Sequence, residues 1–298
     1  MSFSQDVKNA LCDVNVSGCC RLAECYGLLL FNRAFSYKEI CLLTEHEATA
    51  LRCAKIIRAA FGFTVKIEQN QALNGMYKVT VDNEIDRKKI MIGFGYNPHD
   101  IMKRINLSIV GRDCCASAFL RGAFLACGGM SDPKKEYHLE FSISDFMLAD
   151  EFYSFLKKRG FSPRKSLREK NNLIYFKESS ALEDLLTTIG ATGFSLEIMG
   201  IKIMKDMRNR ANRASNCDTA NITKTVNAAI VQKNAINKLI EHGRFEGLPE
   251  NLKLAANLRL DNPDLSLSRL VELSNGAITK SGLNHRLQRI VSMANELE

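Results

Sequence analysis

Cys19-Cys20-Arg21-Leu22-Ala23-Glu24-Cys25-Tyr26-Gly27-Leu28-Leu29-Leu30 and Cys114-Cys115-Ala116-Ser117-Ala118-Phe119-Leu120-Arg121-Gly122-Ala123-Phe124-Leu125 repeat one pattern 95 residues apart. In both, a cysteine pair is followed at the same distance by a glycine and three apolar residues, as expected of a helix buried on more than one side. The glycine leaves room for a second backbone to approach closely. The segments after each helix also match in order. Phe35 to Leu43 reads as a strand, Glu45 to Ala60 as an amphipathic helix, Phe63 to Glu68 and Met76 to Val81 as strands, and Asp86 to Ile92 as a short helix. Tyr137 to Ser144 alternates apolar and polar positions, Phe146 to Lys158 has helical spacing, Ser162 to Leu167 and Leu173 to Lys177 read as strands, and Ala181 to Ile189 returns to helix. The pattern predicts two α-β-β-α-β-β-α repeats, about residues 10–95 and 108–200, joined through their opening helices. The result is a pseudo-symmetric α+β domain with two antiparallel sheets, spanning residues 1–205.

The segment from Leu120 to Gly128 resembles the LAGLIDADG helix of homing endonucleases, and Glu24 to Arg33 resembles its degenerate partner. The resemblance implies that the two helices form the central interface. It also implies that an acid before the last glycine of each motif would bind the divalent metal used for strand cleavage. The matching positions here are Asn32 and Cys127. An amide and a thiol cannot supply the hard oxygen ligands that magnesium needs, so nuclease chemistry is expected to be absent and no catalytic residue is assigned. Asp113 and Asp132, the latter before Pro133, read as solvated structural residues. The basic run Lys157 to Lys170 is either a phosphate-contacting edge or a solvated helix end and hairpin.

Beyond this domain the charge changes. Residues 205–298 carry 14 basic and 10 acidic side chains, a net +4, which equals the net charge of the first 204 residues in fewer than half as many positions. The segment 206–217 is polar, basic and rich in asparagine and reads as a linker, with Arg208, Arg210, Arg213 and Asn216 placed to lie along a phosphate backbone. From 218 to 298 the pattern is helical. Asp218 reads as the N-cap of a long amphipathic helix with Ile222, Val226, Ala229, Ile230, Ile236 and Ile240 on one stripe, stopped by Gly243. Pro249 opens a second helix, which Asn262-Pro263 ends, and Ser266 caps a third. After Ser274-Asn275-Gly276 a fourth helix starts near Thr279 to Ser281.

In that last helix Leu283, Leu287, Ile290 and Ala294 share one face, while Ser281, His285, Gln288 and Arg289 lie opposite and Asn284 and Arg286 on the flanks. A short helix, a glycine-containing turn and a second helix with a polar, basic outer face is the helix-turn-helix pattern, although the turn is longer than the usual three or four residues. Gln and Asn can pair with adenine and Arg with guanine, and Lys280 can hold a phosphate.

Phe119 to Ala126 with Asp132-Pro133 and Tyr137 to Glu140, Arg208 to Asn221, and Lys280 to Leu287 together resemble the WhiA family over essentially the whole chain. The resemblance implies a bacterial DNA-binding transcription regulator linked to sporulation, cell division or chromosome segregation. Its partner would be double-stranded DNA at promoter regions, and a protein or small ligand could bind the LAGLIDADG-like domain. Two rival functions stand beside it: an interaction adaptor with sequence-indifferent nucleoid binding, and an active endonuclease or maturase.

Composition sets the outer limits. A chain of 298 residues that is 46% hydrophobic and 25% charged has enough apolar content for more than one core and too much for a disordered protein. Its longest early apolar run, Tyr26 to Phe31, is far shorter than a membrane helix, and no charged-then-apolar leader precedes it. A cytoplasmic, nucleoid-associated protein without membrane contact is therefore expected. The ten cysteines contain no Cys-x-x-Cys pair and read as reduced, largely buried thiols, with no metal or cofactor assigned.

Overall fold

The opening helices of the two repeats pack against each other at their glycines. The computed structural model describes residues 2–16, 18–32, 34–70, 75–98, 100, 102–274 and 276–297. Arg33, at the end of the degenerate motif, and Asn275, in the turn expected before the last helix, lie outside them. Helix α1 (Phe3–Cys12) precedes the first repeat, which comprises α2 (Cys19–Leu30), β1 (Ala34–Phe35), β2 (Ile40–Thr44), α3 (Glu47–Phe61), β3 (Lys66–Asn70), β4 (Met76–Thr80) and α4 (Glu84–Gly93). After α5 (Leu107–Val110), the second repeat comprises α6 (Asp113–Cys127), β5 (Gly128–Met130), β6 (Leu139–Ile143), α7 (Phe146–Lys158), β7 (Arg164–Arg168), β8 (Asn171–Phe176) and α8 (Ser179–Ile189). The sheets are antiparallel with matching orders, β1-β2-β4-β3 and β5-β6-β8-β7.

A Cβ built on Gly27 would lie 2.1 Å from the carbonyl oxygen of Phe119 and 2.9 Å from the amide nitrogen of Ala123. One on Gly122 would lie 2.3 Å from the oxygen of Glu24 and 2.8 Å from the nitrogen of Leu28. Positions 24, 27 and 28 correspond to 119, 122 and 123 under the 95-residue repeat, so the contacts are reciprocal. Only glycine lets two helix backbones come this close. The helices therefore run side by side in the same direction about a pseudo-twofold axis. Around them Tyr26, Phe94, Phe119, Phe124, Phe141, Phe152 and Phe176 are fully buried. The rings of Phe31 and Phe152 meet edge-on at 4.9 Å, and those of Phe119 and Phe155 at 5.5 Å.

The strand expected over Phe35 to Leu43 is instead a hairpin, because the Ser36 hydroxyl accepts from the amides of Lys38 (3.3 Å) and Glu39 (3.2 Å) and turns the chain between β1 and β2. A buried ion triad breaks the symmetry. Glu24 on α2 accepts from Arg52 Nε on α3 at 2.7 Å and from Arg121 Nε on α6 at 2.9 Å, and its side chain is fully buried. The guanidinium nitrogens left over donate to carbonyls: Arg52 to Cys12 (3.0 Å) and Val14 (2.7 Å), Arg121 to Ile189 (2.9 Å). Each buried charge is thus both paired and hydrogen-bonded, as desolvation demands.

The chain divides into two compact units, Met1–Lys205 and Asp206–Glu298. The boundary falls inside α9 (Thr192–Glu241), a 50-residue helix. The segment 206–217 is therefore helical, and Asp218 sits within a helix instead of capping its start. Between Lys205 and Asp218 there is neither glycine nor proline, and arginine, alanine and methionine outweigh the few tenths of a kcal/mol, roughly, that each asparagine costs a helix. Gly243, at φ 65°, ends α9 as expected. The apolar stripe along this helix is only partly buried: Ala229 and Ile236 are in the interior, while Ile222, Val226, Ile230 and Ile240 are exposed.

Helices α10 (Glu250–Asp261), α11 (Leu267–Leu273) and α12 (Lys280–Asn295) complete the second unit. Ser266 caps α11 by accepting from the Arg269 amide, and Thr279 caps α12 by accepting from that of Gly282 at 3.1 Å. Ile236, Leu239, Leu252, Leu270, Leu283, Leu287 and Ile290 form its core. Arg259, 2% exposed, donates to Gln232 Oε1 on α9 (2.9 Å) and to the Leu265 carbonyl (2.7 Å), tying α10 to its neighbours. Among the described residues no helix is long and apolar enough to cross a membrane.

Candidate nucleic-acid interface

The C-terminal ends of α2 and α6 are where metal-binding acids would stand in a LAGLIDADG nuclease, and here two hydrogen-bond donors turn back on their own helices. Asn32 Nδ2 donates to the Leu28 carbonyl at 2.6 Å, and Cys127 Sγ donates to the Ala123 carbonyl at 3.3 Å. The two contacts are equivalents in the repeat, each satisfying a last-turn carbonyl that a carboxylate could only repel. Burial pushes the Cys127 thiol up to about 12, so it is neutral. Charges of both signs stand at this end, Lys8, Lys78 and Lys103 with Glu39. Lys103 donates its ammonium to the Asn32 carbonyl, and Lys8 stands 5.9 Å from the Phe124 ring centre. Burial lowers the pKa of both lysines, opposed at Lys8 by Glu45 and at Lys103 by Asp145. Asn32 and Cys127 line a groove of about 530 Å³ whose walls include Cys41 and Lys78 from one sheet and Ser142 and Asn171 from the other.

Much of the basic run 157–170 is engaged within the domain. Arg159 bonds Asp113 at 2.6 Å and the carbonyls of Val110 and Gly111, bracing the start of α6. Lys165 pairs with Asp150 and lies 4.1 Å from the Tyr153 ring centre, and Arg164 meets Glu178 at 3.5 Å. Of the two expected aspartates, Asp132 accepts from the Lys134 amide in a turn and Asp113 serves Arg159.

In the second unit α12 separates its two faces. Leu283, Leu287, Ile290 and Ala294 are buried, while Lys280, Ser281, His285, Gln288 and Arg289 are exposed and Asn284 and Arg286 half-buried. Arg286 lines a groove of about 520 Å³ with Asn251, Leu254 and Asn257 of α10. Ser281, His285, Gln288 and Arg289 thus form one outward face, with Lys280 at its N-terminal edge. Arg208, Arg210, Arg213 and Asn216 are exposed on α9, spread around more than one side of it because 3.6 residues make a turn.

A family model for the WhiA LAGLIDADG-like domain matches residues 116–208, and one for the WhiA C-terminal HTH domain matches residues 211–294. A "Probable cell division protein WhiA" of Clostridium botulinum is 36% identical over 315 aligned residues, covering 100% of this chain and 99% of that one. The chain belongs to the WhiA family. A second WhiA relative, from Desulforudis audaxviator, is 33% identical with 100% and 98% coverage. The solved full-length DUF199/WhiA from Thermatoga maritima shares the fold at a TM-score of 0.58 and 23% identity, covering 100% of this chain and 99% of that one. The isolated N-terminal LAGLIDADG domain of DUF199/WhiA aligns at a TM-score of 0.50 and 17% identity over 63% of this chain and 92% of that one. The matched HTH domain takes in the C-terminal part of α9 with α10, α11 and most of α12.

The Glu24 triad and buried Arg259 were missed in the sequence, since their partners lie far along the chain. The cysteines also differ from expectation. Cys19, Cys114 and Cys217 are exposed, while Cys25, Cys41, Cys53 and Cys115 are buried. Hydrogen bonds from Cys115 and Cys114 lower the Cys19 thiol to about 7.

Proposed function

We propose that this WhiA chain is a sequence-specific DNA-binding transcription regulator in which α12 lies in the major groove and reads base edges. The observation that carries the reading is the outward face of Ser281, His285, Gln288 and Arg289 on the second helix of the paired motif, held by a buried apolar face. Gln288 and Asn284 offer bidentate pairing to adenine, Arg286 and Arg289 to guanine, and Lys280 a phosphate contact. Arg208, Arg210, Arg213 and Asn216 add phosphate contacts along α9. The partner is promoter DNA, which places the protein on the nucleoid. The relatives' names attach to cell division. The proposed targets are accordingly genes of cell division and chromosome segregation, with sporulation where the host forms spores. No nuclease step is included, because the positions that would hold a metal carry donors and stand beside Lys8 and Lys103.

The test is a genome-wide map of the tagged full chain, repeated with Gln288 and Arg289 both changed to Ala. Discrete peaks upstream of genes that vanish in the variant support base reading. In a binding assay Gln288→Ala costs about 1 to 3 kcal/mol on the mapped site and little on random DNA. Equal losses on both DNAs remove the base-reading assignment. A second reading, an adaptor with non-specific nucleoid binding, rests on Met199, Ile203 and Met204, apolar residues exposed on α9 within the first unit. It predicts diffuse, steeply salt-dependent occupancy that the variant leaves unchanged.

A further inference from the structure

We propose that the N-terminal ends of α2 and α6 form a zinc site in which one ion is held by the thiolates of Cys19, Cys20, Cys114 and Cys115. The four sulfurs all lie within 4.8 Å of one another, with Cys19 to Cys114 at 4.0 Å and Cys114 to Cys115 at 4.0 Å. A tetrahedron of zinc–sulfur bonds of about 2.3 Å has edges of roughly 3.8 Å, so side-chain movements of about an ångström or less would close the set on an ion. An iron–sulfur cluster carries its thiolates on a larger inorganic core and needs them further apart, so the compact set matches a single ion. Four soft sulfur donors with tetrahedral spacing select zinc over magnesium or calcium.

The arrangement follows from the packing of the helices. Each contributes one vicinal pair, at positions equivalent in the repeat, and the glycines further along hold the backbones close enough for the pairs to converge near the pseudo-twofold axis. A vicinal pair alone could not place four sulfurs around one point; two facing pairs can. Charge is also provided for. Four thiolates around zinc leave two excess negative charges. Both helices point their N-termini at this place, and neither N-cap, Gly18 nor Arg112, makes a side-chain cap hydrogen bond. The Arg112 guanidinium lies 4.0 Å from Cys19 Sγ. Cys19 and Cys114 are exposed and Cys20 half-buried, which gives the ion a way in from solvent, while Cys115 is buried. As zinc binds, each coordinating thiol releases its proton to solvent.

The experiment uses the full chain purified with a phosphine reductant and no chelator. Elemental analysis is expected to find about one zinc per chain. The Cys19→Ser/Cys114→Ser double variant, altered only at exposed positions, is expected to lose the ion, and Cys217→Ser to keep it. Cobalt(II) added to the chain stripped of metal is expected to give the intense visible bands of a tetrahedral thiolate site, absent from the double variant. A chelator should lower the melting temperature of the parent chain and leave that of the double variant unmoved, a readout independent of how well the variant folds. A folded parent chain with neither zinc nor a cobalt spectrum overturns the proposal. So does bound iron with labile sulfide, or a Cys19–Cys114 disulfide in place of the ion.

Discussion

At their C-terminal ends α2 and α6 present an amide and a neutral thiol, each bonded back to its own helix, with buried Lys8 and half-buried Lys103 alongside. At their N-terminal ends the same two helices present four thiols and uncapped amides. Helix dipoles favour cations at the C-terminus and anions at the N-terminus, and here Lys8 and Lys103 stand at the C-terminal ends and the Cys19 thiol, lowered to about 7, at an N-terminal one. Carboxylates holding magnesium at the C-terminal ends would reverse that preference and would need the metal to be stable there. One helix pair thus carries no carboxylate at the metal positions of one end and four soft sulfur donors at the other, joined by the glycine contact between them.

The largest expected effect tests that shared middle. Gly27→Val or Gly122→Val drives a side chain into carbonyl and amide atoms of the opposite helix, where a Cβ alone would sit 2.1 or 2.3 Å from oxygen. Each is expected to cost upwards of about 4 kcal/mol and to leave little folded N-terminal unit by circular dichroism. A variant that melts like the parent would mean that the helices are not in backbone contact, and both ends would lose their common cause. Next is Glu24→Gln, which leaves two buried guanidinium groups facing a neutral amide. It should lower stability by about 3 to 5 kcal/mol in urea unfolding. A loss below about 1 kcal/mol would mean that the triad is solvated.

At the C-terminal end, Asn32→Asp removes the donor to the Leu28 carbonyl and sets a carboxylate against it. A cost of about 1 to 3 kcal/mol is expected. With Cys127→Asp added, both acid positions are restored, yet no magnesium-dependent nicking of supercoiled DNA is expected, because Lys8 and Lys103 still occupy that end with positive charge. Chelator-sensitive nicking by the double variant would show that the lysines are compatible with a magnesium site and that only the acids had been missing.

How much of this could be read in the sequence depends on how local each feature is. The paired cysteine-glycine-apolar stretches placed α2 and α6 closely, since burial on several sides leaves a continuous apolar record. Phe146 to Lys158 matched α7 for the same reason. The thiol cluster was not seen, because zinc spacing was sought along one segment, whereas this set needs two vicinal pairs brought together across 95 residues. Glu24 was hidden similarly, with partners 28 and 97 residues away. The basic segment 206–217 looked like a break because asparagine favours turns; without glycine or proline, the helix simply continues.

The smallest effect concerns acid stability at the lysine-bearing end. Burial, and then the charge of Lys8, lowers the pKa of His46, with Glu45 opposing. Among the described residues its buried Nδ1 has no hydrogen-bond partner. An unfolded histidine titrates near about 6.5, so above that pH both states are neutral and the residue contributes no pH dependence. As the pH falls through that value the unfolded chain takes up a proton before the folded one does, and stability is lost down to the lowered folded pKa. The urea midpoint should therefore drop between pH 7.5 and 5 by more in the parent than in His46→Gln. In Lys8→Met the drop should shrink as well, since one of the two causes of the lowered pKa is gone. If Lys8→Met leaves the acid sensitivity as large as in the parent, burial alone sets the His46 value, and the charge of Lys8 does not reach α3.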